Sequence, residues 1–368
     1  MRRLRIGVNA LYLIPEGVGG TEIYLRNLLG SLGEIDGFNE YFLFTNRETS
    51  AKLGPKQPNF YICQQPVRAA FRPARIVWEQ IGLPLAVAAQ RIDVLLNPGF
   101  TAPIICGCPQ VTVFHDLQHK RHPEHFRRFD LPFWRFFLFW SAQLSEIVIA
   151  DSAATAADLE TFYRLPSRKT RTIPLGVDPA FFALARARRP EPILLAVSTS
   201  HPHKNLDRLL RAFSAFHRGR PEFRLVITGL RGFHATNLER LRQELRLADS
   251  VQFTGWIPRE ELYEWYARAW AFLYPSTFEG FGLPVLEALA AGVPTACSRI
   301  EPLASIAAGA AFQFDPDNDV EILEAMDRLV SDASLRARLR AAGPERAAQF
   351  SWRTTAQLTL AALREAAE

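Results

Sequence analysis

The sequence of 368 residues is short of several things at once, and each shortage closes off a class of protein. Its four cysteines, Cys63, Cys106, Cys108 and Cys297, have neither the number nor the spacing of a disulfide framework, and Cys106-X-Cys108 lacks the spacing of a zinc knuckle. Buried structural thiols in a reducing cytoplasm are the expectation. No apolar run approaches the ~18 residues that a membrane span needs. The opening MRRLRIGVNA runs into a strand-like stretch without the longer apolar region and small-residue cleavage site of a secretion signal. Lysine is scarce: only Lys52, Lys56, Lys120, Lys169 and Lys204 stand among 43 basic residues, so arginine carries the net charge of +5. An excess that small does not indicate nucleic acid, and no recognised nucleic-acid module accompanies it. Low-complexity tracts and short-period repeats are also missing.

What is there reads as folded chain. Hydrophobic residues make up 48% and charged residues 22%, with 27 Phe and 7 Trp, so no segment needs setting aside as a disordered tail. The length fits two α/β domains with a cleft between them, each able to bury its own core. Short β-rich runs recur at 4–9, 41–45, 60–64, 93–97, 110–115, 146–150 and 170–175, with helical patterns between them. The cycle restarts at 193–198 and continues through 223–228, 251–253, 271–274, 294–297 and 311–314. Strands alternating with helices predict parallel sheets with crossover connections, here two of them. The Pro- and Arg-rich stretch over 174–192 breaks the periodicity and marks the boundary. From Asp319 onward the pattern is helical, interrupted at Phe350-Ser351-Trp352 before a last amphipathic helix.

The most informative string runs from Tyr274 through Glu279-Gly280-Phe281-Gly282-Leu283-Pro284 to Glu287 and on to Gly292-Val293-Pro294. A strand ends, two glycines make a tight loop, and Pro284 sits where a first helical turn begins. Backbone N–H groups of Phe281, Gly282 and Leu283 at the positive end of a helix suit a pyrophosphate. Carboxylates such as Glu279 and Glu287 are natural partners for vicinal hydroxyls, so one can hold a sugar and the other a ribose. In isolation, two glutamates eight positions apart are more often a helix cap and a solvated side chain.

In this string the chain resembles the retaining GT-B glycosyltransferases of family 4, the group 1 glycosyltransferases, including bacterial mannosyltransferase-like members. The resemblance implies two Rossmann-like domains with parallel sheets facing a cleft, and a C-terminal helix crossing back to the first domain. That places an acceptor domain at 1–177 with the helix 353–368, and a nucleotide-sugar donor domain at 178–352. It implies further that Glu279 binds hydroxyls of the transferred sugar, Glu287 the ribose, and the Phe281, Gly282 and Leu283 amides the phosphates. A second match, Ser198-Thr199-Ser200-His201-Pro202-His203-Lys204-Asn205, puts a lysine at the C-terminal edge of a strand, where a point charge neutralises a leaving diphosphate. It departs from the family at His203, where Arg is frequent, and at Thr199, where some members carry a second phosphate-binding Arg. The third, Phe253-Thr254-Gly255-Trp256-Ile257-Pro258, resembles the segment along the nucleobase, with backbone groups around Trp256 and Ile257 reading the base edge; taken alone, a Trp before a Pro is more often core packing.

In the first half, Gly17-Val18-Gly19-Gly20-Thr21 follows a strand and opens a helix, and the family's equivalent loop lies near donor phosphates and acceptor, which implies Gly19 and Gly20. His115 closes another strand; by resemblance it faces the transferred sugar, with Asp116 as its support. Ser152 and Thr155 read as helix caps, and Asp315-Pro316-Asp317 as a turn rather than a metal site. No metal and no cofactor are implied beyond a GDP- or UDP-sugar co-substrate. Lys120, Arg121, Arg127, Arg128 and Arg135 are interleaved with aromatics. That segment is either a helix with one face in the core or a surface for an anionic membrane bearing a lipid-linked acceptor.

The reaction so implied is transfer of a hexose, mannose first, from a nucleoside diphosphate sugar to a saccharide or lipid-linked acceptor with retention, in cell-surface polysaccharide synthesis. An NDP-sugar epimerase of the same two-domain plan, or a non-enzymatic two-domain ligand-binding protein, are the alternatives.

Overall fold

The computed structural model describes residues 2–14, 19–49, 53–126 and 128–368. Gly17, Val18, Lys52 and Arg127 therefore lie outside the described residues. The chain divides into two compact units, Met1–Gly176 with Trp352–Glu368, and Val177–Ser351.

Unit 1 holds a seven-stranded sheet: β1 (Arg5–Asn9), β2 (Glu40–Thr45), β3 (Phe60–Gln64), β4 (Val94–Asn97), β5 (Gln110–Phe114), β6 (Ile147–Ala150) and β7 (Thr170–Thr172). Unit 2 holds six strands: β8 (Ile193–Val197), β9 (Arg224–Thr228), β10 (Val251–Gly255), β11 (Ala271–Tyr274), β12 (Thr295–Ser298) and β13 (Phe312–Phe314). Every neighbouring pair is parallel. Helices cover both faces of such sheets, so central strands become continuous apolar runs: β4 reads Val-Leu-Leu-Asn and β6 Ile-Val-Ile-Ala, every residue buried.

The strand orders are β3-β2-β1-β4-β5-β6-β7 and β10-β9-β8-β11-β12-β13. Each unit starts in the middle of its sheet, winds to one edge, then crosses back and winds to the other. The reversal falls between β1 and β4 in unit 1 and between β8 and β11 in unit 2. Ligands of doubly wound sheets bind outside the carboxyl ends of strands at that reversal.

Helical periodicity supplies the covering layers. The Leu206–Gly219 helix buries Leu206, Leu209, Leu210, Phe213 and Phe216 at three- and four-residue spacing, and they pack on Leu225, Ile227 and Leu273 of the unit 2 sheet. Each such side chain contributes about 1.5–3 kcal/mol on burial. The last helix, Trp352–Ala366, belongs to unit 1. It lies along the Gly20–Ile35 helix, setting the Trp352 ring edge-on to Tyr24 at 6.1 Å, and Thr355 Oγ1 donates to the Pro174 carbonyl at 2.8 Å.

The thiols depart from expectation. Cys297 is buried, but Cys63, Cys106 and Cys108 are half-buried. Cys106 and Cys108 sit in the turn that feeds β5, with their sulfurs 3.7 Å apart, because a two-residue spacing across a tight turn brings the side chains together.

Candidate active site

The loops after β8 and β11 flank the unit 2 reversal, and polar side chains bind them to each other. After β8 the chain makes a single 3-10 turn, Pro202–Lys204, and Asn205 takes a left-handed conformation (φ 58°) to open the Leu206–Gly219 helix. Asn205 Nδ2 donates to the carbonyls of Pro275 (3.1 Å) and Pro316 (2.8 Å). The His203 carbonyl receives Thr277 N, Ser276 Oγ and Thr277 Oγ1 at 2.8, 2.9 and 3.2 Å. Lys204 is thereby delivered to the β11 loop, where its Nζ lies 2.6 Å from Glu279 Oε1 and 3.4 Å from the Tyr274 hydroxyl. Both members of the ion pair retain some solvent access, with side chains 14% and 10% exposed. An ammonium has three donors, so a third N–H remains for an incoming oxyanion.

Gly282 caps the Leu283–Ala290 helix at φ 115°, and a Cβ there would lie 2.3 Å from Leu303 Cδ2. A side chain at that positive φ would be strained. Pro284 stands in the first turn, Gly280 precedes the cap, and Phe281 is buried edge-on against Phe350 at 6.0 Å. The first amides of any helix lack intrahelical acceptors, so the turn points its N–H groups away from the helix body.

Glu287, one turn further, is almost sealed at 4% exposure. The Tyr266 hydroxyl donates to its Oε2 at 3.2 Å, and Arg259 Nη2 lies 3.6 Å from Oε1. Arg259 is shared: its Nε and the Tyr263 hydroxyl both donate to Asp178 Oδ2, at 3.1 and 2.7 Å. Burial pushes the Glu287 carboxyl up to about 7, because the divided attention of Arg259 and the Tyr266 hydrogen bond only partly offset it.

Thr199, in the loop after β8, is half-buried. The loops after β8, β9 and β10 enclose a concavity lined by Ser198, Ser200, Gly229, Arg231, Phe253 and Gly255. Gly229 makes it possible: a Cβ there would lie 2.3 Å from the Ser198 carbonyl oxygen. Trp256 follows directly and is 46% exposed, so it is not core; Ile257 is half-buried beside it.

In unit 1, Gly19 caps the Gly20–Ile35 helix, and a Cβ on Gly19 or Gly20 would meet nothing within 4 Å. That helix carries Tyr24, whose ring lies edge-on to His115 at 5.0 Å; Phe100 approaches His115 at the same distance. His115 is supported by Asp151, not by Asp116. Its Nδ1 donates to Asp151 Oδ2 at 2.5 Å and its Nε2 to the Pro98 carbonyl at 2.9 Å. β5 and β6 are adjacent, so residues just past their ends meet. Asp116 instead turns its Oδ1 to the Gln118 amide at 2.8 Å. Burial works against the imidazolium, but the Asp151 carboxylate and Pro98 carbonyl outweigh it and raise the pKa above the ordinary value. Only the protonated ring can donate from both nitrogens.

Ser152 caps the Ala153–Tyr163 helix by accepting from Thr155 N at 3.1 Å, while Thr155 Oγ1 reaches the His115 carbonyl at 3.3 Å. Asp315 Oδ1 accepts from Asp317 N at 2.9 Å, an Asx turn. Sequence reasoning missed Asp151, Arg259, Tyr266 and Asp178. The only available hint was that Asp151 follows a strand next to the one that ends at His115.

Residues 180–346 match the family described as glycosyl transferases group 1, and residues 18–181 match glycosyltransferase family 4. The chain belongs to the group 1, family 4 glycosyltransferases. It is therefore an enzyme that transfers a glycosyl group. It is 28% identical over 263 residues to an O-antigen chain mannosyltransferase B of Escherichia coli, covering 68% of each chain. The O-antigen chain mannosyltransferase RfbU of Salmonella typhimurium is 28% identical over 210 residues, covering 57% of this chain and only 58% of the relative. Sucrose-phosphate synthase from Thermosynechococcus elongatus superposes with a TM-score of 0.80, covering 99% of both chains at 22% identity, a likeness of fold alone. The fold is GT-B: two Rossmann-like units with the final helix returned to the first.

Proposed function

We propose that the enzyme transfers a hexose, mannose in the first instance, from a nucleoside diphosphate sugar to a saccharide or lipid-linked acceptor, with retention of configuration. The observation that carries this reading is the Lys204–Glu279 pair at the unit 2 reversal, a cation for phosphate beside a carboxylate for sugar hydroxyls. Likeness to the two O-antigen mannosyltransferases supports mannose and polysaccharide synthesis, and GDP-mannose is the donor to try first.

In this reading Lys204 and the amides of Phe281, Gly282 and Leu283 hold the diphosphate. Glu279 orients the sugar and Glu287 takes the ribose. Ser198, Arg231, Trp256 and Ile257 border the base. His115 keeps the role the family resemblance implies, toward a hydroxyl of the transferred sugar. The anomeric carbon–phosphate oxygen bond breaks as the acceptor oxygen bonds to the same face. The acceptor proton passes to the departing phosphate oxygen, so no protein nucleophile is required. No protein-bound cofactor or metal enters the scheme.

The test is thermal shift with GDP, UDP and ADP, followed by transfer assays with the matching sugars and NMR of the product anomer. A nucleotide at a hundredfold excess over its Kd adds about 2.7 kcal/mol of stability. The expected result is stabilisation by GDP and an α-linked product from the α-donor. Stabilisation by UDP alone would overturn the GDP assignment, a β-linked product would overturn retention, and indifference to all three nucleotides would overturn the donor site.

A further inference from the structure

The turn that feeds β5 carries a pair of thiols with no part in the transfer scheme. Cys106, Gly107 and Cys108 lie before the amino end of β5, whereas His115 follows its carboxyl end. The two sulfurs are in contact at 3.7 Å. The turn is held at both ends. The Ile104 amide donates to Gln80 Oε1 and Gln110 Nε2 to the Pro103 carbonyl, each at 2.9 Å, and the Pro109 carbonyl accepts from Leu95 N at 3.0 Å. Fixed ends keep the thiols facing each other, so joining them costs little further chain entropy. Access from solvent is open: Ile105 is 79% exposed, Gly107 and Pro109 are exposed, and a Cβ on Gly107 would meet nothing within 4 Å.

The two sulfurs are not equivalent. A thiolate at Cys106 accepts from the Cys108 S–H, and the amides of Gly107 and Cys108 add to that, which brings the Cys106 thiol down to about 7 in spite of partial burial. Cys108 is held as the thiol. Losing its proton would remove that hydrogen bond and set a second negative charge beside the first, so its pKa lies above the ordinary value. Burial alone raises Cys63, in the edge strand β3, and pushes Cys297, sealed in β12, up to about 12. An attacking thiol works best with a pKa near the ambient pH. The chain thus holds one reactive thiol with a second in contact to resolve it, and two unreactive thiols as internal controls.

We propose that Cys106 and Cys108 form a dithiol site for covalent modification by low-molecular-weight disulfides, closing to an intramolecular disulfide. The Cys106 thiolate attacks one sulfur of the incoming disulfide, whose S–S bond breaks, and a mixed disulfide forms on Cys106. Cys108 passes its proton through water to the first thiolate released and attacks Cys106 Sγ. The second thiolate leaves and takes its proton from solvent. Two protein thiols are oxidised to one S–S bond while one external disulfide is reduced to two thiols, so the exchange balances without another reagent.

Glutathione disulfide is the probe. The full chain, reduced and then freed of reductant, is incubated with it at about pH 7 beside a chelator, blocked with N-ethylmaleimide and mapped by intact and peptide mass spectrometry. The wild type should lose two hydrogens, mapped to a Cys106–Cys108 bridge. Cys108→Ser should stop at a glutathione adduct on Cys106, and Cys106→Ser should react roughly tenfold or more slowly. Cys63→Ser and Cys297→Ser should behave as the wild type. Circular dichroism checks the folding of each variant, and the wild type alone supplies a second measurement. Iodoacetamide should label Cys106 ahead of Cys63 by roughly tenfold, at a rate that levels off above about pH 7 instead of the roughly 8.5 of an ordinary thiol. All four thiols still free after glutathione disulfide, a bridge through Cys63 or Cys297, or a bridge between two chains overturns the proposal. So does a folded Cys106→Ser that reacts at the wild-type rate, or labelling of Cys63 as fast as Cys106.

Discussion

The two units wind their strands in one order and equip the point of reversal in opposite ways. In unit 1 the strands flanking it end in Asn9 and Asn97, a buried amide pair with Asn9 Nδ2 donating to Asn97 Oδ1 at 3.1 Å. The loops that follow carry no charged residue among the described positions. In unit 2 the corresponding loops meet in the Lys204–Glu279 ion pair. The reversal of a parallel sheet thus supplies a crevice and open backbone ends, but only charge fits it to an anionic ligand. Unit 1 places its buried charge one strand further on instead, in the His115–Asp151 pair past the ends of β5 and β6.

The comparison breaks most visibly at Lys204. Lys204→Ala should lower sugar transfer by about two orders of magnitude or more, the scale of losing a preorganised charge-stabilising group. A near-normal rate would move the cationic role elsewhere, with Arg231 at the rim of the concavity the next candidate. The carboxylates divide differently. Glu279→Gln should lower turnover while nucleoside diphosphate still binds, whereas Glu287→Ala should weaken the nucleotide by roughly tenfold to a hundredfold. Equal nucleotide affinity in the three proteins would end that division of labour.

Glycines sharpen the contrast at the level of backbone. Gly282→Ala forces a Cβ to 2.3 Å from Leu303 at φ 115°, and should destabilise by about 2 kcal/mol or more. Gly20→Ala meets open space at a helix start and should be neutral, or stabilising by up to about 1 kcal/mol. Thermal melts of the two variants check both, and a harmless Gly282→Ala would mean that the Leu303 contact yields.

That pair also marks how far the sequence could be read. All thirteen strands follow from periodicity, because parallel strands buried on both faces leave continuous apolar runs such as Val94–Asn97, whereas the return of the last helix rests on the family resemblance. The Gly282 turn was legible because its residues are consecutive. Gly229 was not: its constraint is the Ser198 carbonyl, thirty-one positions away and adjacent only once β8 and β9 pair. The Asp178–Arg259–Glu287 arrangement was hidden for the same reason, with partners drawn from three segments. Asp116 was mistaken for the support of His115 because sequence adjacency stood in for strand adjacency.

Glu287 gives a smaller, pH-dependent effect. Its folded pKa near 7 lies above the ordinary 4.5, so the folded state binds the extra proton and stability falls as pH rises from about 4.5 through 7. Glu287→Gln should flatten that fall. Removing the buried charge is worth up to about 3 kcal/mol above pH 7, but Arg259 loses a partner, which leaves a net gain of about 1 kcal/mol. Parallel pH dependences in the two proteins would show that Arg259 keeps Glu287 ionised.

The finest distinction concerns which aspartate holds His115. Asp151 sits against Nδ1 and Asp116 does not, so Asp151→Asn and Asp116→Asn should part company although both remove one negative charge near the ring. In the wild type the folded pKa is raised. The stability it contributes is complete below the unfolded value of about 6.5 and is lost as pH rises through the folded pKa. Asp151→Asn removes the carboxylate that outweighs burial, and the remaining Pro98 carbonyl is a neutral acceptor. Burial then prevails, the folded pKa drops below 6.5, and stability is lost as pH falls through it: the slope changes sign. Asp116→Asn should leave the sign unchanged and lower the His115 pKa only slightly. Imidazole proton NMR titration reads the pKa values directly, and melts between about pH 5 and 8 read the slopes, with differences within about 1 kcal/mol. An inverted slope in Asp116→Asn, with Asp151→Asn behaving as wild type, would return the supporting role to the neighbour in sequence.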